Sequence, residues 1–296
     1  MFSLEGIIPP LPTSFDHHEE LLPGKMQQNI KRLADYGLAG FLVLGSNGEQ
    51  VNLTEKERRM VCEKSREAIP DGKVMLAGTG CQSTRATIRA SRDAARAGAD
   101  GVLVLNPSYY RGLMSREALV AHYRKVADAS EVPVVVYNMP ANSGLDMDAQ
   151  TITEIAVHDN IVGLKDSAGN LVKMGTIIQQ APHGFQVMAG SAGFLLPALS
   201  IGATGGILAL ANIAPAACLA VRQRFLEGRI EEARRIQLEM IPLNTAVTRQ
   251  WGVPALKEAM DYMGLYGGPS RSPLMAVSSE TRECLHHMLN ERNLQL

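Results

Sequence analysis

The chain has 296 residues, of which 46% are hydrophobic and 20% charged, enough apolar material for a packed core and too much for a mainly disordered state. Its 29 Lys and Arg against 30 Asp and Glu leave a net charge of -1, which argues against a general nucleic-acid binder. No apolar run reaches the roughly 18 residues of a membrane span, and MFSLEGIIPP has neither the basic nor the long apolar part of a secretory signal. Four cysteines (Cys62, Cys81, Cys218, Cys284) form no Cys-x-x-Cys pair, a usage expected of a reduced, cytoplasmic protein.

In chain order, GIIP at 6–9 opens a series of short, continuously apolar runs, and GFLVL at 40–44 is the second. Thr54-Glu55-Lys56-Glu57 reads as a capping box, with Val61, Lys64 and Ala68 continuing one helical face. KVMLA (73–77) is followed by a helix capped by Ser83, running through Arg96 and closed by Gly98. GVLVL (101–105) precedes a helix that starts after Ser115 and repeats at Leu119, Tyr123 and Val126. PVVVY (133–137) comes next, then a helix after Asp148 carrying Ile152 and Ile155. IVGLK (161–165), FQVMA (185–189) and ATGGIL (203–208) complete the series.

Runs this short and this uniformly apolar have the character of parallel strands buried on both faces. Eight of them with intervening helices predict a (β/α)8 TIM barrel over residues 1–212. An open doubly wound sheet would carry a glycine-rich phosphate turn after its first strand, and GIIPPLPTSF has none. From about Asn212 the pattern is helical only (215–226, 229–247, 253–263, 278–290), so 213–296 is expected to be a C-terminal helical extension packed on the barrel.

In such a barrel the reactive groups belong at the C-terminal strand ends. Of nine lysines, Lys165 alone ends an apolar run, and a buried lysine needs a reason. Desolvation favours a neutral amine that attacks carbonyls; the competing account is an ion pair with adjacent Asp166. Tyr137 ends the preceding strand, where a phenol can relay protons or simply fill the interior. Gly45-Ser46-Asn47-Gly48 forms a turn whose backbone N–H groups can cradle a carboxylate, although an ordinary βα turn explains it equally. Tyr109-Tyr110 suits an interface or core packing. No His falls at a strand end, and strand-end carboxylates are limited to Glu49 and Asp166, so metal-dependent chemistry and a Ser-His-Asp triad are both disfavoured.

GSNGE after strand two, YY after strand four, YN-x-P after strand five and GLKDS at strand six together resemble the dihydrodipicolinate synthase / N-acetylneuraminate lyase family, over essentially the whole chain. Within it, LAGTGCQST, YYRGLMS, PANSGLD and AGSAGFL look most like the 4-hydroxy-2-oxoglutarate aldolase branch. The resemblance implies a class I, pyruvate-dependent aldolase that needs no cofactor and no metal. It implies that Lys165 forms an imine with the 2-oxo carbon and that Tyr137 moves protons. Ser46 would link Tyr137 to a second tyrosine, Tyr110, supplied by the neighbouring subunit of a tight dimer within a homotetramer. The backbone of Ser46 and Asn47 would hold the pyruvyl carboxylate, and Ser167 the 4-hydroxyl. Asn142, Gly190 and Ser191 complete the expected substrate-binding set.

One position departs from the synthases. They carry an arginine in the loop after strand five, and here Asn142 stands in its place. A neutral amide in place of a bidentate guanidinium loses about 1.5–3 kcal/mol toward a carboxylate. A lysine-biosynthetic synthase is therefore the weaker expectation, and a 2-keto-3-deoxy sugar-acid aldolase or dehydratase remains a rival. So does a non-catalytic oxo-acid-binding protein on the same scaffold.

Overall fold

The computed structural model describes residues 2–292. Its strands are β1 (Gly6–Ile8), β2 (Gly40–Val43), β3 (Val74–Gly78), β4 (Gly101–Leu105), β5 (Val134–Asn138), β6 (Ile161–Asp166), β7 (Gln186–Ala189) and β8 (Gly205–Ile207). Each lies within two residues of an apolar run read from the sequence. All neighbours are parallel, in the order β1-β8-β7-β6-β5-β4-β3-β2. The ring closes between β1 and β2, where Leu42 N–H donates to the Pro9 carbonyl at 3.0 Å and Leu11 N–H to the Leu42 carbonyl at 2.8 Å.

Between and after the strands come α1 (Pro23–Ala34), α2 (Glu55–Arg66), α3 (Thr84–Arg96), α4 (Arg116–Ala129), a one-turn α5 (Pro140–Ser143), α6 (Ala149–Ile155), α7 (Leu171–Gln180), α8 (Leu195–Ser200) and α9 (Pro215–Leu226). Thr54 and Glu57 make both bonds of the capping box, and Ser83, Ser115 and Asp148 each accept a first-turn N–H. Helix α2 stops at Arg66, earlier than expected. Its buried face is Val61, Cys62 and Ser65, while Lys64 turns outward to Glu67 and Ala68 lies past the helix. The helical signal was not resolved into α1, α7 or α8; α8, at six residues, is too short to show a period.

Helix α9 packs on α8 and β1 and so acts as the eighth helix of the ring. Beyond it lie α10 (Ile230–Thr245), α11 (Gly252–Tyr262) and α12 (Ser279–Asn290), with one π-helical turn at Ala246–Gln250 that spans the end of the helix expected at 229–247 and part of the break expected after it. Strand alternation divides the core into two layers. Ile8, Leu42, Leu76, Leu103, Val135 and Met188 fill the barrel, while Ile7, Phe41, Met75, Val102, Val136 and Leu164 meet the helices.

Candidate active site

Strands β5 and β6 pair so that Tyr137 lies opposite Lys165 and Asn138 opposite Asp166. Alternation then decides the direction of each side chain. Tyr137 joins the barrel-interior cluster, whereas Leu164, next to Lys165, faces the helices. Lys165 is 4% exposed, with Nζ 4.2 Å from the centre of the Tyr137 ring.

Lys165 is not unique in being buried, contrary to what its strand-end position suggested: Lys173 and Lys257 are buried too. The difference is in their partners. Lys173 contacts Asp146 and lies 3.2 Å from Asp166; Lys257 lies 2.7 Å from Glu49. Among the described residues, no carboxylate lies within ion-pair distance of Lys165. Asp166, adjacent in sequence, points to the opposite face of the strand, so the simple ion-pair account of Lys165 fails.

The Tyr137 hydroxyl lies 3.4 Å from Ser46 Oγ, and Ser167 and Lys165 are near enough to influence it. Burial pushes the phenol up, but the charge of Lys165 and the bonds from Ser46, Ser167 and Lys165 outweigh it, leaving Tyr137 below its ordinary value. A more acidic phenol beside an amine is suited to passing a proton in either direction.

A second, fully buried polar group supports these strand tips from the helix side. Asn138 Nδ2 donates to Asp166 Oδ2 at 2.9 Å and to Asp146 Oδ1 at 2.8 Å. Asp166 Oδ1 accepts the N–H groups of Ala168 and Gly169 at 3.0 and 3.2 Å, which shapes the turn carrying Ser167. Each interior-facing reactive residue is thus followed by an outward-facing residue that ties its strand to the next. The signal was present in the sequence as the pairs Tyr137-Asn138 and Lys165-Asp166.

Ser46 and Asn47 sit in the turn after β2, where neither backbone N–H meets an acceptor among the described residues. Asn47 Nδ2 is likewise buried without a partner. Three unused donors therefore collect at one turn, the requirement for holding an anion. Gly190, after β7, is required by close approach: a β-carbon there would fall 2.0 Å from Ser167 Oγ. Ser191 follows it and is held by Asn244 Nδ2 of α10 at 3.0 Å.

Two expected residues stand apart from this group. Tyr110 is 67% exposed and packs edge-on against Tyr109, their ring centres 4.9 Å apart, with no contact to Tyr137 of the same chain. Asn142 is exposed on α5. A cation does approach its loop: a β-carbon placed on Gly144 would lie 2.7 Å from the Arg111 guanidinium, which comes from the turn after β4. A cavity of about 110 Å³ between α2 and α3, lined by Arg58, Arg89 and Cys81, shares no residue with the Lys165 group. Among the described residues, no three His, Cys, Asp or Glu side chains gather as a metal site.

A parallel eight-stranded barrel with these groups at its C-terminal mouth belongs with the barrel lyases of aldolase and synthase type, and the comparisons agree. Residues 3–292 match the profile of the Dihydrodipicolinate synthetase family, and the chain belongs to that family. A probable mitochondrial 4-hydroxy-2-oxoglutarate aldolase of Emericella nidulans is 38% identical over 97% of this chain and 94% of its own. A 4-hydroxy-tetrahydrodipicolinate synthase of Methanococcoides burtonii is 34% identical over 97% of this chain and 98% of its own. A prophage protein of the dihydrodipicolinic acid synthase family from E. coli, solved in complex with pyruvate, superposes with a TM-score of 0.92 at 27% identity, covering 98% of this chain and 99% of that one.

Proposed function

We propose that this lyase is a class I, pyruvate-dependent aldolase, cleaving 4-hydroxy-2-oxoglutarate to pyruvate and glyoxylate. The observation that carries the reading is a buried lysine with no carboxylate, in contact with an acidified tyrosine. A salt-bridged lysine is a poor nucleophile, whereas one with no carboxylate partner keeps its nitrogen available to attack a ketone.

Lys165 Nζ adds to the C2 carbonyl, and loss of water gives a protonated imine. The substrate carboxylate sits on the Ser46 and Asn47 N–H groups. Tyr137 takes the proton of the 4-hydroxyl, which Ser167 helps to orient, and the C3–C4 bond breaks. Its electron pair moves into the imine, leaving an enamine while glyoxylate departs. Tyr137 returns a proton to C3, and water hydrolyses the imine to release pyruvate. The imine is the electron sink, so the sequence of steps requires no cofactor or metal.

The 38% identity to a probable 4-hydroxy-2-oxoglutarate aldolase supports this substrate; the loop after β5 offers no arginine of its own, so the distal carboxylate would meet Arg111 from the turn after β4. The likeness to a 4-hydroxy-tetrahydrodipicolinate synthase keeps that activity as the second reading. We also place Tyr110 in the site of a neighbouring copy, within a homotetramer built as a dimer of dimers. Its exposure beside Tyr109 and Leu113 supports this placement. Pyruvate with borohydride should add a reduced pyruvyl group to Lys165; mass spectrometry finding that peptide unmodified removes the imine. Pyruvate release from a panel of 4-hydroxy-2-oxo acids then ranks the substrates, and efficient condensation of pyruvate with aspartate semialdehyde would favour the second reading.

A further inference from the structure

A fully buried ion pair joins the helical extension to the turn after β2. Glu49 follows the Ser46-Asn47-Gly48 turn directly and is buried, with its backbone in the left-handed region at φ 52°. A non-glycine residue is held there only when its surroundings over-determine it. Its Oε1 lies 2.7 Å from Lys257 Nζ of α11, off the line of a directed hydrogen bond, and its Oε2 accepts the Arg271 N–H at 2.9 Å.

Lys257 is 1% exposed, donates to the Pro269 carbonyl at 2.8 Å and sits 4.6 Å above the Phe15 ring. The Arg271 guanidinium covers the same ring at 4.4 Å and binds Glu57 of α2. On the other side, Thr13 Oγ1 donates to the Gly48 carbonyl at 2.6 Å. The turn is therefore gripped from the loop after β1 and from the extension, whose Arg271 is itself held by Glu57 of α2, while the Ser46 and Asn47 N–H groups meet no acceptor among the described residues.

We infer that Lys257 is a positioning residue: through Glu49 it sets the Ser46–Asn47 turn at the spacing a substrate carboxylate requires. This rests on the proposed role of that turn as the carboxylate cradle. Two buried charges cost more to desolvate than an apolar pair of equal volume, so stability alone does not account for them. What the pair adds is direction. It acts on the residue next to the cradle, and it makes the extension part of the site although no residue of α11 faces Lys165.

The test uses Lys257→Met, Glu49→Gln and the double variant, all as the intact protein. Two quantities are read besides the thermal midpoint: the pyruvate concentration giving half-maximal borohydride labelling of Lys165, and amide hydrogen exchange of the 45–48 turn without ligand. Lys257→Met should raise the half-saturating concentration by roughly 10- to 100-fold, the worth of a charged hydrogen bond set out of place. Labelling at saturating pyruvate should persist. The double variant, which leaves no lone buried charge, should regain thermal stability while pyruvate affinity stays low and the turn exchanges fast. If the double variant recovers affinity and protection together with its midpoint, or if none of the variants changes either, the pair is merely structural and the inference is overturned. Failure of wild type to be labelled at all would refute the imine instead, and exchange at the turn would then decide the positioning role alone.

Discussion

Tyr137 is held in the interior of the barrel by its strand, with its hydroxyl 3.4 Å from Ser46 Oγ and Lys165 over its ring. Tyr137→Phe should therefore lower turnover by about 10²- to 10⁴-fold, the usual span for a lost general acid–base. Labelling of Lys165 by pyruvate and borohydride should continue, because the nucleophile is intact; turnover within threefold of wild type, about 0.7 kcal/mol, would take Tyr137 out of the chemistry. Since Tyr137 must be a phenolate to take the 4-hydroxyl proton and titrates below its ordinary value, the cleavage rate should rise with pH to half its plateau below pH 10.0, and that rise should be lost in the variant. At the distal end, Arg111→Ala should weaken a substrate with a second carboxylate by roughly 10-fold or more while leaving pyruvate unaffected, given the strength of charge-assisted bonds. Equal KM values for mono- and dicarboxylic substrates in both proteins would exclude Arg111 from recognition. Lys165, Tyr137 and Ser46 were legible in the sequence because they end apolar runs or sit in the turn after one. Lys257 and Glu49 were not, because their pairing depends on tertiary contact between segments far apart in the chain. Asp166 was read as a neighbour of Lys165 when alternation sends it to the opposite face.

At the scale of elements, the strands were legible because both faces of each are buried, which removes the polar alternation that blurs strand signals in exposed sheets. Capped helices showed their first residues, and the short α5 and α8, with less than two turns each, showed nothing periodic. Helix α4 carries a different consequence of burial. His122 packs toward α3, where its Nδ1 lies 2.9 Å from Thr84 Oγ1 and its Nε2 is buried without a partner. Burial pulls its imidazole down to about 4. The unfolded chain takes up this proton near the ordinary value of 6.5, and the folded one only near 4, so stability is full above 6.5 and declines as pH falls toward 4. The loss attributable to His122 should approach about 3 kcal/mol. Urea unfolding of wild type and His122→Gln at neutral pH and near pH 4.5 should show the difference between them moving in favour of the variant; a constant difference would acquit this histidine.

At the scale of the whole molecule, a single chain places Lys165, Tyr137, Ser46 and Ser167 together but leaves Tyr110 outside, beside Tyr109 and near the equally exposed Leu113. Large apolar side chains gathered at a surface loop are a feature of interfaces, and in a closed symmetric dimer such a contact would be reciprocal, each copy giving its tyrosine to the other. The exchange is testable without a structure of the assembly. Lys165→Ala removes the nucleophile but keeps Tyr110; Tyr110→Phe keeps the nucleophile but removes the donated hydroxyl. Each variant alone should be nearly inactive. When the two are unfolded together and refolded as a mixture, half the dimers should pair one of each, and each of those should contain one complete site, so activity should return to roughly a quarter of wild type. Complementation at that level places Tyr110 in the partner's site, whereas a mixture no more active than the mean of its parents would leave each site to a single chain and Tyr110 to the surface. The outcome also bears on what the sequence could say of Tyr110: the paired tyrosines pointed to an interface or to core packing, and only the resemblance gave the hydroxyl a role, because nothing in one chain's core, strand pattern or turn chemistry assigns a role that a second copy would complete.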